Sequence, residues 1–253
     1  MTAAIVIPAR HASTRLPGKP LLKQTGKYLI QHVYERACAS RLAKTVVVAT
    51  DDPRIVAAVD SFGGHVMLTR RDHPSGTDRI AEVARRIDGD ILVNLQGDEP
   101  LIDPAALDTL IELLRKDPSA SMATLATPIH SAEQYHNPNC VKVVLDDGGN
   151  ALYFSRSPVP FVRDGAADFT ARPARFLQHV GIYAYRRSAL LTFAAAPPGP
   201  LERLEKLEQL RALGLGWRIR VGMIEQSTLG VDTYEDYQRF VAVHQLMQGK
   251  QAA

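Results

Sequence analysis

Three cations near the N-terminus have the types and spacing for chemistry. Arg10, Arg15 and Lys19 lie five and four residues apart in a stretch broken by Pro17, Gly18 and Pro20. Fixed guanidinium and ammonium groups so spaced suit a polyanion, and the ligand they point to is a triphosphate. Pro17 and Pro20 lack a backbone donor and fix their φ angles, so the segment is expected neither to continue a strand nor to start a helix, but to wrap. The apolar residues 3–7 just before it read as a buried strand. A cationic loop at the carboxyl end of such a strand would sit in the crevice where open α/β sheets bind ligands.

Asp98 is the strongest candidate acid. It sits in Asn94-Leu95-Gln96-Gly97-Asp98-Glu99-Pro100, directly after a second apolar run. Gly97, lacking a Cβ, would let the backbone approach a ligand closely. A carboxylate beside phosphates is repelled unless a divalent cation lies between them, and Mg²⁺ is the usual bridge. Asp232, in Gly230-Val231-Asp232-Thr233, is a possible second carboxylate. The residues by themselves favour Asp232 as the N-cap of the last helix, with Glu235 completing a capping box. Ser75-Gly76-Thr77-Asp78-Arg79 opens a helix whose N–H groups could hold a nucleobase edge or a phosphate, while Thr77 or Asp78 reads equally well as a cap. His179 and Tyr183 alternate with Gly181 on a strand and should share a face, although a lone strand histidine is more often a core residue.

The elements that must position these groups alternate in the first half. Strand-like runs at 3–7, 45–49, 65–68 and 91–95 are separated by helical patterns at about 28–39, 53–62, 77–87 and 104–116. That rhythm predicts βαβ units and a largely parallel sheet covered on both faces. Asp51, Asp52 and Asp103 read as caps, two of them before proline. The second half predicts a hairpin, 141–145 and 151–155, across Asp146-Asp147-Gly148-Gly149-Asn150, with further strands at 181–185 and 218–224. A leucine-rich helix runs from Pro200 to Leu213, and residues 234–248 form a closing helix. In a single helix the five leucines fan around the axis; Glu202, Glu205 and Gln209 fall in the free arc. Glu208 lies among leucines and would need a partner or a substrate hydroxyl.

Composition excludes several classes. The chain has 253 residues, a net charge of +3 and scattered Arg pairs, so nothing marks a nucleic-acid stripe or a membrane face. Two cysteines exclude a disulfide framework and a cysteine-rich zinc site. No apolar run is long enough to span a bilayer, and the residues before Arg10 are too few for a signal-peptide core, which predicts a cytoplasmic protein. Gly18-Lys19 is followed by Pro20, so the loop is no Walker A motif, and the glycine fingerprint of dinucleotide binding is absent.

Taken in order, these segments resemble the 3-deoxy-manno-octulosonate (Kdo) cytidylyltransferases, or CMP-Kdo synthetases. The similarity runs from residue 5 to about 236 through 8–21, 75–79, 96–100, 138–145, 151–156, 179–185, 207–211 and 230–233. It implies a single Rossmann-like nucleotide-diphospho-sugar transferase domain over 1–253, with a mixed, mainly parallel central sheet. About 1–120 would be the nucleotide half and about 121–253 the sugar-binding and dimerisation half of a homodimer. The implied reaction moves CMP from CTP to the anomeric hydroxyl of Kdo, releasing pyrophosphate and activating the sugar for lipopolysaccharide synthesis.

By matched position the resemblance puts Arg10, Arg15 and Lys19 on the triphosphate as catalytic cations. It makes Asp98 and Asp232 catalytic ligands of Mg²⁺, with two ions expected beside CTP, against the capping reading of Asp232. Pro8, Ala9, Ser13, Ser75, Gly76 and Arg79 would surround the nucleotide. Gln96, Arg156, His179, Tyr183, Glu208 and Gln209 would line the sugar pocket. Thr228-Leu229 departs from the Gly-Thr often found there in the family. Transfer to 8-amino-Kdo or a sialic-acid-like sugar stays open, as does a nucleotide-sensing protein without turnover. A glycosyltransferase is disfavoured, because Asp98 is followed by Glu99-Pro100 rather than by a second aspartate two residues on.

Overall fold

The computed structural model describes residues 1–12, 15–225 and 230–251. Small and β-branched residues at its start form β1 (Ala3–Ala9), buried along its whole length. After it come a 3₁₀ turn at Lys19–Leu21, α1 (Leu29–Cys38), β2 (Thr45–Thr50), α2 (Pro53–Ser61), β3 (Val66–Leu68), α3 (Gly76–Ala84), β4 (Ile91–Asn94) and α4 (Pro104–Lys116). β2 and β4 flank β1 and β3 flanks β2, all parallel. Helices on both faces account for the unbroken apolar strands, as expected from the βαβ rhythm.

The chain divides into two compact units. Met1–Asp108 and Thr228–Ala253 form the first; Thr109–Ser227 forms the second. The second contains β5 (Met122–Pro128), α5 (Ala132–His136), β6 (Lys142–Leu145), β7 (Ala151–Ser155), β8 (Leu177–Arg186), α6 (Arg187–Ala195), α7 (Pro200–Glu205), α8 (Gln209–Gly214) and β9 (Ile219–Met223). Here β5 pairs antiparallel with β8 and parallel with β9, while β6 pairs antiparallel with β7 and β8. α9 (Tyr234–Gln251) returns to the first unit, where Tyr237, Phe240 and Val241 pack against Leu16, Leu29 and Val231. The fold is a mixed, mainly parallel α/β sheet, as expected.

Several local expectations are corrected. The cationic loop does begin a helical turn at Lys19, because Pro20 falls in the first turn, where its missing donor is not needed. β5 was not anticipated; its Ser-Met-Ala-Thr-Leu-Ala-Thr context alternates too weakly to announce a strand. The leucine-rich segment is two helices, broken at Lys206, whose φ is 55°. The break leaves Leu204 80% exposed and buries Leu207 and Leu210. It also reverses the reading of the acids: Glu202, not Glu208, is the buried one. Arg211 meets Glu202 in a bidentate pair, Nη2 to Oε1 at 2.5 Å and Nε to Oε2 at 2.8 Å.

Candidate active site

The wrap of the cationic loop is closed by one backbone bond. Gly18, at φ 68°, donates its N–H to the His11 carbonyl at 3.1 Å. Most side chains would strain at that φ, so glycine permits the closure. The turn places Lys19 where its ammonium meets three acceptors: Asp98 Oδ2 at 2.8 Å, the Val231 carbonyl at 2.8 Å and Asp232 Oδ1 at 3.3 Å. Arg15 Nη2 reaches the same Asp232 oxygen at 2.9 Å from a largely exposed position. The sheet end and the segment before α9 are tied together by Val231, whose N–H donates to the Asp98 carbonyl at 2.8 Å. Two carboxylates far apart in sequence thus share one ammonium.

Asp232 is not the cap of α9. Thr233 Oγ1 accepts from the Asp236 N–H, and Asp236 Oδ2 accepts from the Thr233 N–H, a reciprocal box one residue later than expected. Freed from capping, the Asp232 carboxylate faces the cations. Gly97 serves a close approach within the protein: a Cβ there would lie 2.9 Å from the Pro8 carbonyl, so the glycine lets the Asp98 loop pack on the end of β1.

Of the residues expected around the nucleotide, the described ones lie near that same strand end. Arg10 Nη2 donates to the His73 carbonyl at 2.9 Å. Gly76 is packed so closely that a Cβ would lie 3.3 Å from Pro8 Cγ and 3.9 Å from Gln96 Oε1. Ser75, not Thr77 or Asp78, caps α3, accepting from the Asp78 N–H. Ala9 ends β1 beside Thr50. Arg79 is fully buried, with Nη1 donating to Thr69 Oγ1 at 2.5 Å and Nη2 3.3 Å from Asp51 Oδ1. Burial pulls its pKa below the usual value. Asp51 is therefore this arginine's ion-pair partner and not a cap, whereas Asp52 and Asp103 do cap, accepting from Arg54 and Ala105 N–H groups. Ser13 and Thr228-Leu229 lie outside the described residues.

In the second unit three of the residues expected at the sugar, Tyr183, Gln209 and His179, form a chain of neutral groups with Thr124. Tyr183 donates its hydroxyl to Gln209 Oε1 at 3.1 Å, and Gln209 Nε2 faces His179 Nδ1 at 3.5 Å. His179 Nε2 lies 2.9 Å from Thr124 Oγ1, whose hydroxyl also reaches the Ile182 carbonyl at 2.9 Å. One assignment satisfies all four: Thr124 donates to Ile182, His179 donates through Nε2, and Nδ1 accepts. Burial pushes His179 down to about 3, so the imidazole is neutral, and burial, aided by the Glu208 charge, pushes the Tyr183 hydroxyl well up. β8 is irregular between Val180 and Tyr183, and exposed Gly181 falls in that irregularity. The His179 and Tyr183 rings are still neighbours, tilted 39° with centroids 5.4 Å apart.

Arg156 is half-buried after β7, donating from Nε to the Glu205 carbonyl at 2.7 Å and from Nη1 to the Pro138 carbonyl at 3.0 Å. Glu208 precedes α8 and lines a cavity of about 340 Å³ with Arg203 and Lys206. Gln96 belongs to the first unit and donates to Asn94 Oδ1 at 3.2 Å. Thr124 went unmarked in the sequence, and Glu205 was placed on the free arc of a helix with no partner. Thr124 lies on the unanticipated β5.

Among the described residues, no three or more His, Cys, Asp or Glu side chains are grouped to hold a metal. Asp98 and Asp232 nevertheless fit Mg²⁺ as a pair. Both are oxygen donors, both are partly exposed, and both already converge on one cation, the Lys19 ammonium. Mg²⁺ typically takes only one or two protein carboxylates and completes its shell with phosphate oxygens and water.

A parallel sheet with a cationic wrap and paired acids at its carboxyl edge defines a nucleotide-handling α/β fold. The cytidylyltransferase family model matches residues 4–219. A relative from Syntrophobacter fumaroxidans, named 3-deoxy-manno-octulosonate cytidylyltransferase, is 56% identical over 94% of this chain and 95% of its own length. One of the same name from Syntrophotalea carbinolica is 53% identical over 96% and 98%. The solved structure of a CMP:2-keto-3-deoxy-manno-octonic acid synthetase complexed with CTP superposes with a TM-score of 0.91 at 47% identity, covering 98% of this chain and all of that one. The chain belongs to the 3-deoxy-manno-octulosonate cytidylyltransferase family.

Proposed function

We propose that this protein transfers CMP from CTP to the anomeric hydroxyl of Kdo, releasing pyrophosphate, and that it works as a Mg²⁺-dependent homodimer in the cytoplasm, supplying activated sugar for lipopolysaccharide synthesis. The observation that carries the reading is the convergence of Asp98 and Asp232 on Lys19, beside Arg15. No helix among the described residues is long and apolar enough to cross a membrane.

The charges assign the parts. Arg10 and Arg15 neutralise the triphosphate and the charge that develops on the departing pyrophosphate; one such preorganised partner is typically worth about 3–4 kcal/mol. Asp98 and Asp232 hold Mg²⁺, which when bound screens phosphate charge and lowers the pKa of the attacking hydroxyl. The planar fork of Arg156 suits the sugar carboxylate. Tyr183 and Gln209 offer polar atoms to sugar hydroxyls. His179, neutral and a weak base, orients Gln209 rather than removing a proton.

Pyrophosphate release from CTP, Mg²⁺ and Kdo tests the reading, with 8-amino-Kdo and a sialic acid run in parallel. Turnover with Kdo at a kcat/KM at least about tenfold above the others is expected. CTP binding without turnover on any sugar would instead indicate a nucleotide sensor.

A further inference from the structure

Lys142, the first residue of β6, is a buried cation with no role so far. It is fully buried, yet its ammonium makes no ion pair among the described residues. Its three donors go to backbone carbonyls: Cys140 at 2.6 Å, Arg156 at 2.7 Å and Asn137 at 2.9 Å. Burial pulls its pKa below the ordinary value. Holding a charge in the interior for carbonyls alone is costly, and an apolar side chain would fill the same space without that cost.

The three carbonyls have Arg156 in common. One is its own. The other two belong to the 137–140 turn, whose Pro138 carbonyl accepts from Arg156 Nη1. The remaining ties come from α7: the Glu205 carbonyl accepts from Arg156 Nε, and Glu205 Oε2 accepts from the Arg156 N–H at 2.9 Å. The guanidinium is thus held through Nε and Nη1, while Nη2 makes no hydrogen bond among the described residues.

We propose that Lys142 is a positioning residue: by fixing both the Arg156 backbone and the turn that carries the Pro138 carbonyl, it aims Nη2 at the carboxylate of the incoming sugar acid. This rests on the reading of Arg156 as the carboxylate-binding residue.

The test is steady-state kinetics on the full-length protein, varying Kdo and CTP separately. Lys142→Met is expected to raise the KM for Kdo about tenfold or more, as a displaced clamp does, and to leave the KM for CTP within about twofold. The Lys142→Met/Arg156→Ala double variant is expected to match Arg156→Ala alone in its KM for Kdo. An unchanged KM for Kdo in folded Lys142→Met, or additive effects in the double variant, would overturn the proposal. Arg156→Ala with an unchanged KM for Kdo would sink the underlying carboxylate reading instead, and the proposal with it. Should Lys142→Met not fold, Lys142→Gln, which keeps two donors, is measured the same way. Failure of both to fold makes the residue purely structural and also overturns the proposal.

Discussion

The Lys19 cluster of the first unit and the His179 cluster of the second solve opposite problems. In the first, formal charges sit partly exposed on loops and on a 3₁₀ turn: Lys19, Arg15, Asp98 and Asp232. In the second, buried Gln209, His179 and Thr124 and part-buried Tyr183 form a chain in which no member carries a charge at neutral pH. The difference follows from the ligands proposed for each. A triphosphate with its cation can be gripped only by opposite charges, and water near the loops keeps those charges affordable. Sugar hydroxyls are read by directed neutral donors and acceptors, which burial strengthens and orients. On that proposal the first region would supply strength and the second selectivity.

The largest expected effect breaks the charged side. Asp98→Asn keeps the shape and still accepts from Lys19 but removes the charge; kcat is expected to fall about a thousandfold with the fold intact, measured by pyrophosphate release and circular dichroism. Near-normal turnover would take Asp98 out of the mechanism.

Arg15→Ala removes an exposed cation from the same cluster. The KM for CTP should rise about tenfold while the KM for Kdo stays put. An equal rise in both would deny the separation of charged and neutral roles.

Tyr183→Phe tests the neutral side. It strips one hydroxyl from the chain and leaves Gln209 Oε1 without its donor, so the KM for Kdo should rise about five- to tenfold. A matching loss in CTP affinity would blur the contrast.

A separate effect is on stability against pH. His179 stays neutral when folded, with its pKa moved from 6.5 to about 3, whereas the unfolded chain takes up the proton first. Its contribution is therefore complete above pH 6.5 and is lost as pH falls from 6.5 towards 3, at about 1.4 kcal/mol per pH unit. His32, pushed down to about 4 by burial and by His244, acts in the same direction. Urea unfolding between pH 7 and 5 should show the slope, and His179→Asn should flatten it by one proton's worth. An unchanged slope would mean that His179 is not a buried neutral group.

The first half was legible because its signals are local. The apolar runs that became β1, β2 and β4 are continuous, and Asp52 and Asp103 cap their helices as their neighbouring prolines suggested. The second half was less so. β5 carries small and polar residues with little periodicity, so the strand that presents Thr124 to His179 went unnoticed. The helix break at Lys206 rests on a left-handed φ in a non-glycine residue, which no composition rule announces. Asp232 shows the limit most clearly: its neighbours fit a capping box, and the box forms one residue later, around Thr233 and Asp236.

Side-chain types and short spacings by themselves determined the α/β class, the cationic loop and the candidate acids, because strand runs, caps and proline-glycine punctuation act over a few residues. Only the tertiary structure decided which groups meet. Lys19 and Asp232 are separated by 213 residues of chain and brought to 3.3 Å by the docking of the segment before α9 on the Asp98 loop. Burial, a property of the whole packed unit, made His179 neutral and gave Lys142 only carbonyls to bind. Long-range pairing and dielectric depend on what surrounds a residue in space, and no window along the chain contains that.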